Sequence, residues 1–237
     1  VSPALIEPLI SLFFPSHCAG CAVAVKTGCD FCPACESTIA FIKTPRCQIC
    51  SQPFDGMAGE FSCPNCRGAA FHFEFAVSVV RSRGVIRELI HRLKYNREIW
   101  IANVLGRILV HGLAEDRLAG EKFDAIVPVP LHSKRLRERE FNQAALLAAH
   151  VSKAAGIPLR DVLARRRYTG TQTALDRSGR RQNLRNAFLM RKNAFVTDQN
   201  LLLVDDVLTT GSTLDACAVV LLEQGAESVR ALTLARG

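Results

Sequence analysis

LLLVDDVLTTGST, residues 201–213, carries two adjacent aspartates out of an apolar run and into a small, hydroxyl-rich loop containing one glycine. A parallel strand covered on both faces has to be apolar throughout, and Leu201 to Val204 are. Ligands of open α/β sheets bind beyond the carboxyl ends of strands, where the chain turns into a helix. Asp205 and Asp206 therefore stand where polar chemistry is expected. The residues that follow, Thr209, Thr210, Gly211, Ser212 and Thr213, suit a phosphate. Their amides lead into a helix starting near Ser212, so unsatisfied N–H groups and the positive helix end converge. Gly211 lets the backbone approach closely, and the hydroxyls add donors. The lysine of G-x4-G-K-[ST] is missing, which excludes a P-loop nucleotide hydrolase. Two carboxylates would repel that phosphate unless they face something else, and vicinal ribose hydroxyls are donors that carboxylates accept. A ribose 5-phosphate satisfies both halves. A metal-binding pair, or a cap and turn at a strand end, is the competing reading.

Outward from this stretch the chain alternates strand and helix signals. FEFAVSVV from Phe73 reads as a strand. GVIRELIHRLKYNREIWIANVLGRILVHGL reads as one or two amphipathic helices with the face Ile86, Leu89, Ile90 and Leu93. DAIVPVPL (124–131) is a short buried strand, and FNQAALLAAHVSKAAG (141–156) is an alanine-rich helix stopped by Gly156. NLLLVDD (200–206) is the strongest strand signal, STLDACAVVLLEQG (212–225) is a helix ending at Gly225, and SVRALTLAR closes the chain as a strand. This rhythm predicts an α/β fold, a parallel sheet with helices on both faces.

Residues before about 70 have another character. Cys18 and Cys21, Cys32 and Cys35, Cys47 and Cys50, and Cys63 and Cys66 form four C-x2-C pairs, and only Cys217 lies beyond them. A disulfide framework has no reason to repeat this knuckle, whereas a tetrahedral Zn2+ site does, because one tight turn presents both thiolates to one ion. Those eight cysteines are the expected ligands of one or two Zn2+. Cys29 creates a second register, C-x2-C-x2-C, and is taken as a spare thiol. Apolar periods are too few here to build a core unaided, so metal would supply stability. The compositional break at 68–73 is the expected domain boundary.

The first residues, VSPALIEPLISLFFPSHC, lack the basic start and small-residue cleavage site of a signal peptide. An amphipathic helix burying Leu5, Leu9, Leu12 and Phe13 is expected instead. No apolar run reaches the ~18 residues of a membrane span, so a cytoplasmic location is expected. The net charge of +8 points to an anionic partner: a polyphosphate, a nucleic acid or an acidic protein face.

VDDVLTTGST resembles the phosphoribosyl pyrophosphate (PRPP) binding motif of type I phosphoribosyltransferases, an apolar strand, an acidic pair and a T-x-G-x-T-like loop. IVPVPLHSKRLREREFNQA, LARRRYTGTQTALDRSGRRQNLRNAF and the terminal motif, preceded by C-x2-C pairs and RELIHRLKY, resemble the ComF family of competence-related proteins over nearly the whole chain. The resemblance implies a double-zinc-ribbon-like module, residues 1–70, joined to a type I phosphoribosyltransferase-like domain, residues 71–237. It implies that Asp205 and Asp206 contact ribose hydroxyls and that Thr209, Thr210, Gly211, Ser212 and Thr213 hold the 5-phosphate of PRPP, which binds with Mg2+. Lys134 and Arg135, after P-V-P-L, occupy a place suited to a pyrophosphate loop. The family usually has glycine where this chain has Glu140.

The resemblance also implies DNA uptake, with single-stranded DNA and competence or DNA-processing proteins as partners. Arg135, Arg137 and Arg139 are the expected nucleic-acid contacts, by backbone charge rather than stacking, since Tyr168 is the only aromatic near a basic run of that domain. A solvated helix face with mixed charge is the plainer reading of the same residues. Lys94 and Tyr95 follow an apolar helical face, from which a role in the site and a purely structural one are equally good readings, and His132 is the one histidine placed to matter. No catalytic base is legible, which leaves turnover of PRPP to an acceptor as the alternative to binding alone; positioning and electrostatics can carry such a transfer.

Overall fold

The structure, a computed structural model, describes residues 16–54, 62–167 and 186–237. The N-terminal segment with Leu5, Leu9, Leu12 and Phe13, and the basic stretch that begins at Tyr168, lie outside the described residues. In chain order the elements are α1 (Pro33–Glu36), β1 (Ala76–Arg81), α2 (Gly84–Tyr95), α3 (Ile101–Val110), β2 (Ala125–Pro128), α4 (Ser133–Arg139), α5 (Gln143–Ala155), β3 (Leu163–Arg165), β4 (Phe188–Met190), β5 (Asn200–Leu208), α6 (Ser212–Glu223) and β6 (Ser228–Arg236). Strands β1, β6, β5 and β2 lie side by side in that order, all parallel. Residues around Leu159 add a parallel bridge on the outer side of β2, with Ile126 N donating to Pro158 O at 2.8 Å. β3 and β4 form a separate antiparallel ribbon.

The pattern of apolar residues explains the layers. β5 is flanked on both sides, and Leu201 to Val204 are all fully buried. Alternation sends Leu202 and Val204 into one apolar cluster with α2, α3 and α5, and Leu201 and Leu203 into another with α6 and the β3–β4 ribbon. The long stretch after β1 is two helices rather than one, because Asn96 closes α2 and Arg97 adopts φ +59°, a left-handed step that an α-helix does not continue through. α5 begins at Asn142, whose side chain accepts from Ala144 N, and stops at Gly156 with φ +69°. β5 runs to Leu208, two residues past the predicted end, since β6 continues to pair with Val207 and Leu208. The first strand is shorter than FEFAVSVV; regular pairing starts at Ala76.

The cysteine-rich region closes the outer edge of the sheet. Ile42 N donates to Val79 O at 2.9 Å, Arg81 N to Ala40 O at 2.8 Å and Ala76 N to Ile49 O at 2.8 Å. An open β1 edge would expose unpaired backbone groups, and this segment satisfies them. Among the described residues no helix is long and apolar enough to cross a membrane.

Candidate functional site

β5 delivers Asp205 and Asp206 to the carboxyl rim of the sheet, but alternation separates them. Asp205, half-buried, shares its side of the strand with Leu203, whereas Asp206, 5% exposed, shares the side of Val204. Asp205 Oδ1 accepts the amide of Asp206 at 2.8 Å. The Asp206 carboxylate forms an ion pair with Lys94, and its Oδ1 accepts from Gln143 Nε2 at 3.3 Å. Burial works against ionisation of Asp206, yet Lys94 and the hydrogen bonds outweigh it and hold its pKa below the ordinary carboxylate value. Burial, with the charge of Asp206 beside it, pushes Asp205 well up. The two aspartates are therefore unequal, one held low by Lys94 and its hydrogen bonds, the other raised by burial and by its neighbour.

Gln143 and Lys94 complete this constellation from helix ends. Lys94 and Tyr95 are the last two residues of α2, placed at the rim by the same apolar stripe that docks the helix. Gln143 is the first residue of α5, and its only sequence signal is the F-N-Q that precedes the alanine-rich helix. Arg139 Nη1 donates to Gln143 Oε1 at 3.1 Å, and its guanidinium lies 5.2 Å from the centre of the Tyr95 ring.

The loop after β5 turns sharply into α6. Gly211 adopts φ +83° at the start of α6, and a Cβ there would lie 3.0 Å from Phe71, so both conformation and space require glycine. Gly211, at the N-cap, offers α6 no side-chain cap, and the amide of Ser212 meets Thr210 Oγ1 at a long 3.4 Å. Thr210 Oγ1 and Ser212 Oγ are 2.9 Å apart, and Thr209 to Thr213 line one small concavity together with Asp205. Asp215, in the first turn, is turned away to His72, whose amide donates to its Oδ1 at 2.7 Å.

The P-V-P-L segment leaves the sheet beside β5, with Val129 N donating to Val204 O at 2.9 Å, and Asn142 Nδ2 holds Val129 O at 3.0 Å. It leads into α4, which carries Lys134, Arg135, Arg137 and Arg139. His132 caps this helix, its ring accepting from Lys134 N at 3.1 Å, so its place is explained by structure alone. Lys134 and Arg137 are exposed and Arg135 is half-buried. Arg139 departs from the exposed basic strip expected of it. It is 6% exposed, because it lies on the inner side of α4 against Tyr95 and Gln143, and a nucleic-acid backbone has no access to it. Glu140 ends α4 at φ +71°, where glycine is the unstrained residue, and its carboxylate meets Arg97 at 2.8 Å.

At the far edge of the sheet the cysteines form two sets of four. Cys18, Cys21, Cys32 and Cys35 make one and Cys47, Cys50, Cys63 and Cys66 the other, the sulfurs of each set lying within 4.8 Å of one another. Cys29 is exposed and belongs to neither. A tetrahedral ion at ~2.3 Å from each thiolate separates the sulfurs by roughly 3.8 Å; Cys21 and Cys32, and Cys50 and Cys63, stand 3.6 Å apart. All are free thiols. Within the second set, a hydrogen bond from Cys50 lowers the Cys47 thiol to about 4, while burial raises Cys66 to about 12. Such crowding of competing thiolates is relieved by a cation. Both sets fit Zn2+, with Cys32 and Cys35 rather than Cys29 in position.

Comparison with known proteins bears out this organisation. The Double zinc ribbon domain family matches residues 9–67, and the Phosphoribosyl transferase domain family matches residues 141–237. The chain is 33% identical to Competence protein F of Haemophilus influenzae, over 93% of this chain and 95% of that one. It is 33% identical to DNA utilization protein YhgH of Escherichia coli K12, over 95% and 99%, and 27% identical to Competence protein ComFC of Bacillus subtilis, over 86% and 83%. A double zinc ribbon ahead of a phosphoribosyltransferase-like sheet, together with these full-length relatives, shows that the chain belongs to the ComF family of competence and DNA utilization proteins.

Proposed function

We propose that the chain binds PRPP at the carboxyl rim of β5 and that this binding serves the handling of DNA. The observation that carries the reading is the continuity of the rim. Asp205 and Asp206 run directly into a glycine-turned, hydroxyl-lined loop at a helix start with glycine at its N-cap. On this reading the aspartates accept ribose hydroxyls, Thr209 to Thr213 hold the 5-phosphate, and Lys134 and Arg135 serve the pyrophosphate. Mg2+ accompanying PRPP would find an oxygen donor in the half-buried Asp205, and it would supply neutralisation of pyrophosphate charge. Mg2+ keeps much of its water shell and needs few protein ligands, so no dedicated carboxylate cage is required.

Calorimetric titration with PRPP and Mg2+ tests the reading. The Asp205→Asn/Asp206→Asn double variant is expected to lose about a hundredfold in affinity, since the Asp206 carboxylate accepts charge-assisted hydrogen bonds worth ~1.5–3 kcal/mol. Unchanged affinity refutes the ribose role.

Single-stranded DNA is the proposed macromolecular partner, and competence or DNA-processing proteins are its proposed context, following the names of the relatives. With Arg139 buried, Arg135 and Arg137 remain as backbone contacts. Binding of a labelled oligonucleotide should fall with salt and be lost in Arg135→Glu/Arg137→Glu; equal binding by that variant sinks the basic-patch assignment.

The match to a Phosphoribosyl transferase domain favours a second reading, transfer of the phosphoribosyl group. The bond from ribose C1 to the pyrophosphate oxygen breaks, a bond from C1 to an acceptor nucleophile forms, and the acceptor proton is released. Acceptor-dependent release of pyrophosphate supports transfer; no release across a broad panel of acceptors counts against it.

A further inference from the structure

The buried cluster behind Asp206 holds more positive charge than one carboxylate balances. Lys94 pairs with Asp206, and Arg139 lies behind Gln143 with one hydrogen bond, one ring contact and no carboxylate ion pair among the described residues. Asp205 lies on the opposite face of β5 and forms no ion pair with Arg139 among the described residues. A guanidinium that is 6% exposed without an anionic partner is costly, because buried cations are ordinarily paired. The excess positive charge favours an anion at this end of the site, since Asp206 and the neighbouring Glu138 are the carboxylates that act on Arg139. At the same time both Asp206 oxygens are engaged, Oδ2 by Lys94 and Oδ1 by Gln143. A ribose hydroxyl reaching Asp206 has to displace one of these donors. Lys94 is the donor that can leave. Its side chain is 19% exposed, flexible and singly paired, whereas Gln143 is buried and held from behind by Arg139.

We propose that Lys94 is a ligand-exchanged positioning residue, which neutralises Asp206 in the free protein and transfers to the pyrophosphate of PRPP when a ribose hydroxyl takes its place, with Arg139 as the fixed positive background. This rests on the PRPP reading above and adds residues to the same site. It moves Arg139 from the DNA surface to the interior of the ligand site and makes engagement of ribose conditional on capture of pyrophosphate.

The test is calorimetry with three probes, PRPP, ribose 5-phosphate and inorganic pyrophosphate, each with Mg2+, on wild type, Lys94→Gln and Lys94→Arg. Loss of one charge-assisted contact predicts that Lys94→Gln weakens PRPP and pyrophosphate by about ten- to a hundredfold. Ribose 5-phosphate affinity is expected to hold or tighten, because Asp206 has been freed. Lys94→Arg, which keeps the charge, is expected to restore most of the PRPP affinity. Equal weakening of ribose 5-phosphate and PRPP in Lys94→Gln, unrescued by Lys94→Arg, overturns the exchange and leaves Lys94 a structural ion-pair partner. Failure of the wild type to bind PRPP overturns the PRPP reading itself, and the exchange with it; the two failures are distinguished by which protein shows them.

Discussion

The outer cysteine tetrad, Cys18, Cys21, Cys32 and Cys35, leaves Cys21 in solvent, whereas Cys47, Cys50, Cys63 and Cys66 are all buried. The two are built from the same C-x2-C knuckle and are embedded differently. The outer one rests on the other apolar cluster, with Ala19 buried in it and Phe31, Cys35 and Ile39 partly buried against it, and it is tied further by Arg92 Nη1 on Ala19 O at 2.7 Å and an exposed pair of Arg107 with Asp30. The inner one belongs to the same apolar cluster as Leu203 and Ala231 of the central strands. Its loop is fastened to the sheet by Ser51 Oγ on Ala76 O at 2.9 Å, and Arg236 Nη2 of β6 reaches Cys50 Sγ at 3.8 Å. Repetition of a motif thus yields a peripheral knob in one copy and an internal brace in the other. Burial, not ligand identity, decides how far the loss of an ion propagates.

The sharpest break of that comparison is removal of one ligand from each tetrad. Cys50→Ser should lose the inner ion and prevent stable folding of the sheet edge, because structural Zn2+ contributes on the order of 10 kcal/mol, and this site shares the sheet's core. Cys21→Ser should lose an ion yet retain a cooperative melt. Zinc content with thermal unfolding reads both, and equal destabilisation would erase the distinction.

A smaller effect is expected at the fastenings. Arg117 donates to Gln48 O and to Ser51 Oγ at 2.8 Å, pairs with Glu115 and lies against Phe75. Arg117→Met should cost about 2–4 kcal/mol, as several charge-assisted bonds to half-buried groups are lost. Arg107→Ala, which removes an exposed pair beside the outer tetrad, should cost no more than ~1 kcal/mol. Denaturant unfolding of the two variants measures the difference.

Acid should loosen both tetrads. Burial raises the Cys18 thiol, but amides of Cys32, Cys21 and Gly20 bring it to about 6; the Cys50 hydrogen bond, against burial, brings Cys47 to about 4. Both lie below the ordinary 9.0, so the thiolate contribution is full above that value and is lost as pH falls through the folded value. Protons compete with the ion for these thiolates, so both tetrads should hold Zn2+ less tightly as pH falls, and chelator-accessible zinc measured against pH reads the change. Zinc retention that does not change with pH would contradict it.

The smallest effect is expected far from both tetrads, at Glu140. Glycine removes a left-handed cost of roughly 1–2 kcal/mol and gives up an exposed pair with Arg97 worth at most ~1 kcal/mol. Glu140→Gly should stabilise by about 0.5–1 kcal/mol while leaving zinc content unchanged, which makes it the reference against which the cysteine variants are judged.

The parts of the fold that repeat a period were legible in the sequence. The stripe Ile86, Leu89, Ile90 and Leu93 is buried as read, and Gly156 ends its helix as read. These features depend on neighbours a few residues away. Arg139 was not legible, because a seven-residue helix with Lys134, Arg135, Arg137 and Arg139 looks solvated on every side until Tyr95 and Gln143 arrive from other helices. The pairing of Asp206 with Lys94 joins residues more than a hundred positions apart, which no local spacing encodes.

By itself the sequence determined the α/β layering and the C-x2-C zinc chemistry, and it singled out LLLVDDVLTTGST as the candidate rim, since periodicity, ligand spacing and turn residues act over short stretches of chain. Only the tertiary structure decided that one tetrad is a brace and the other a knob, that the adjacent aspartates face opposite sides of the sheet, and that a lysine and an arginine stand behind one of them. Burial and charge balance are sums over everything that packs around a group, and that surrounding exists only once the chain has folded.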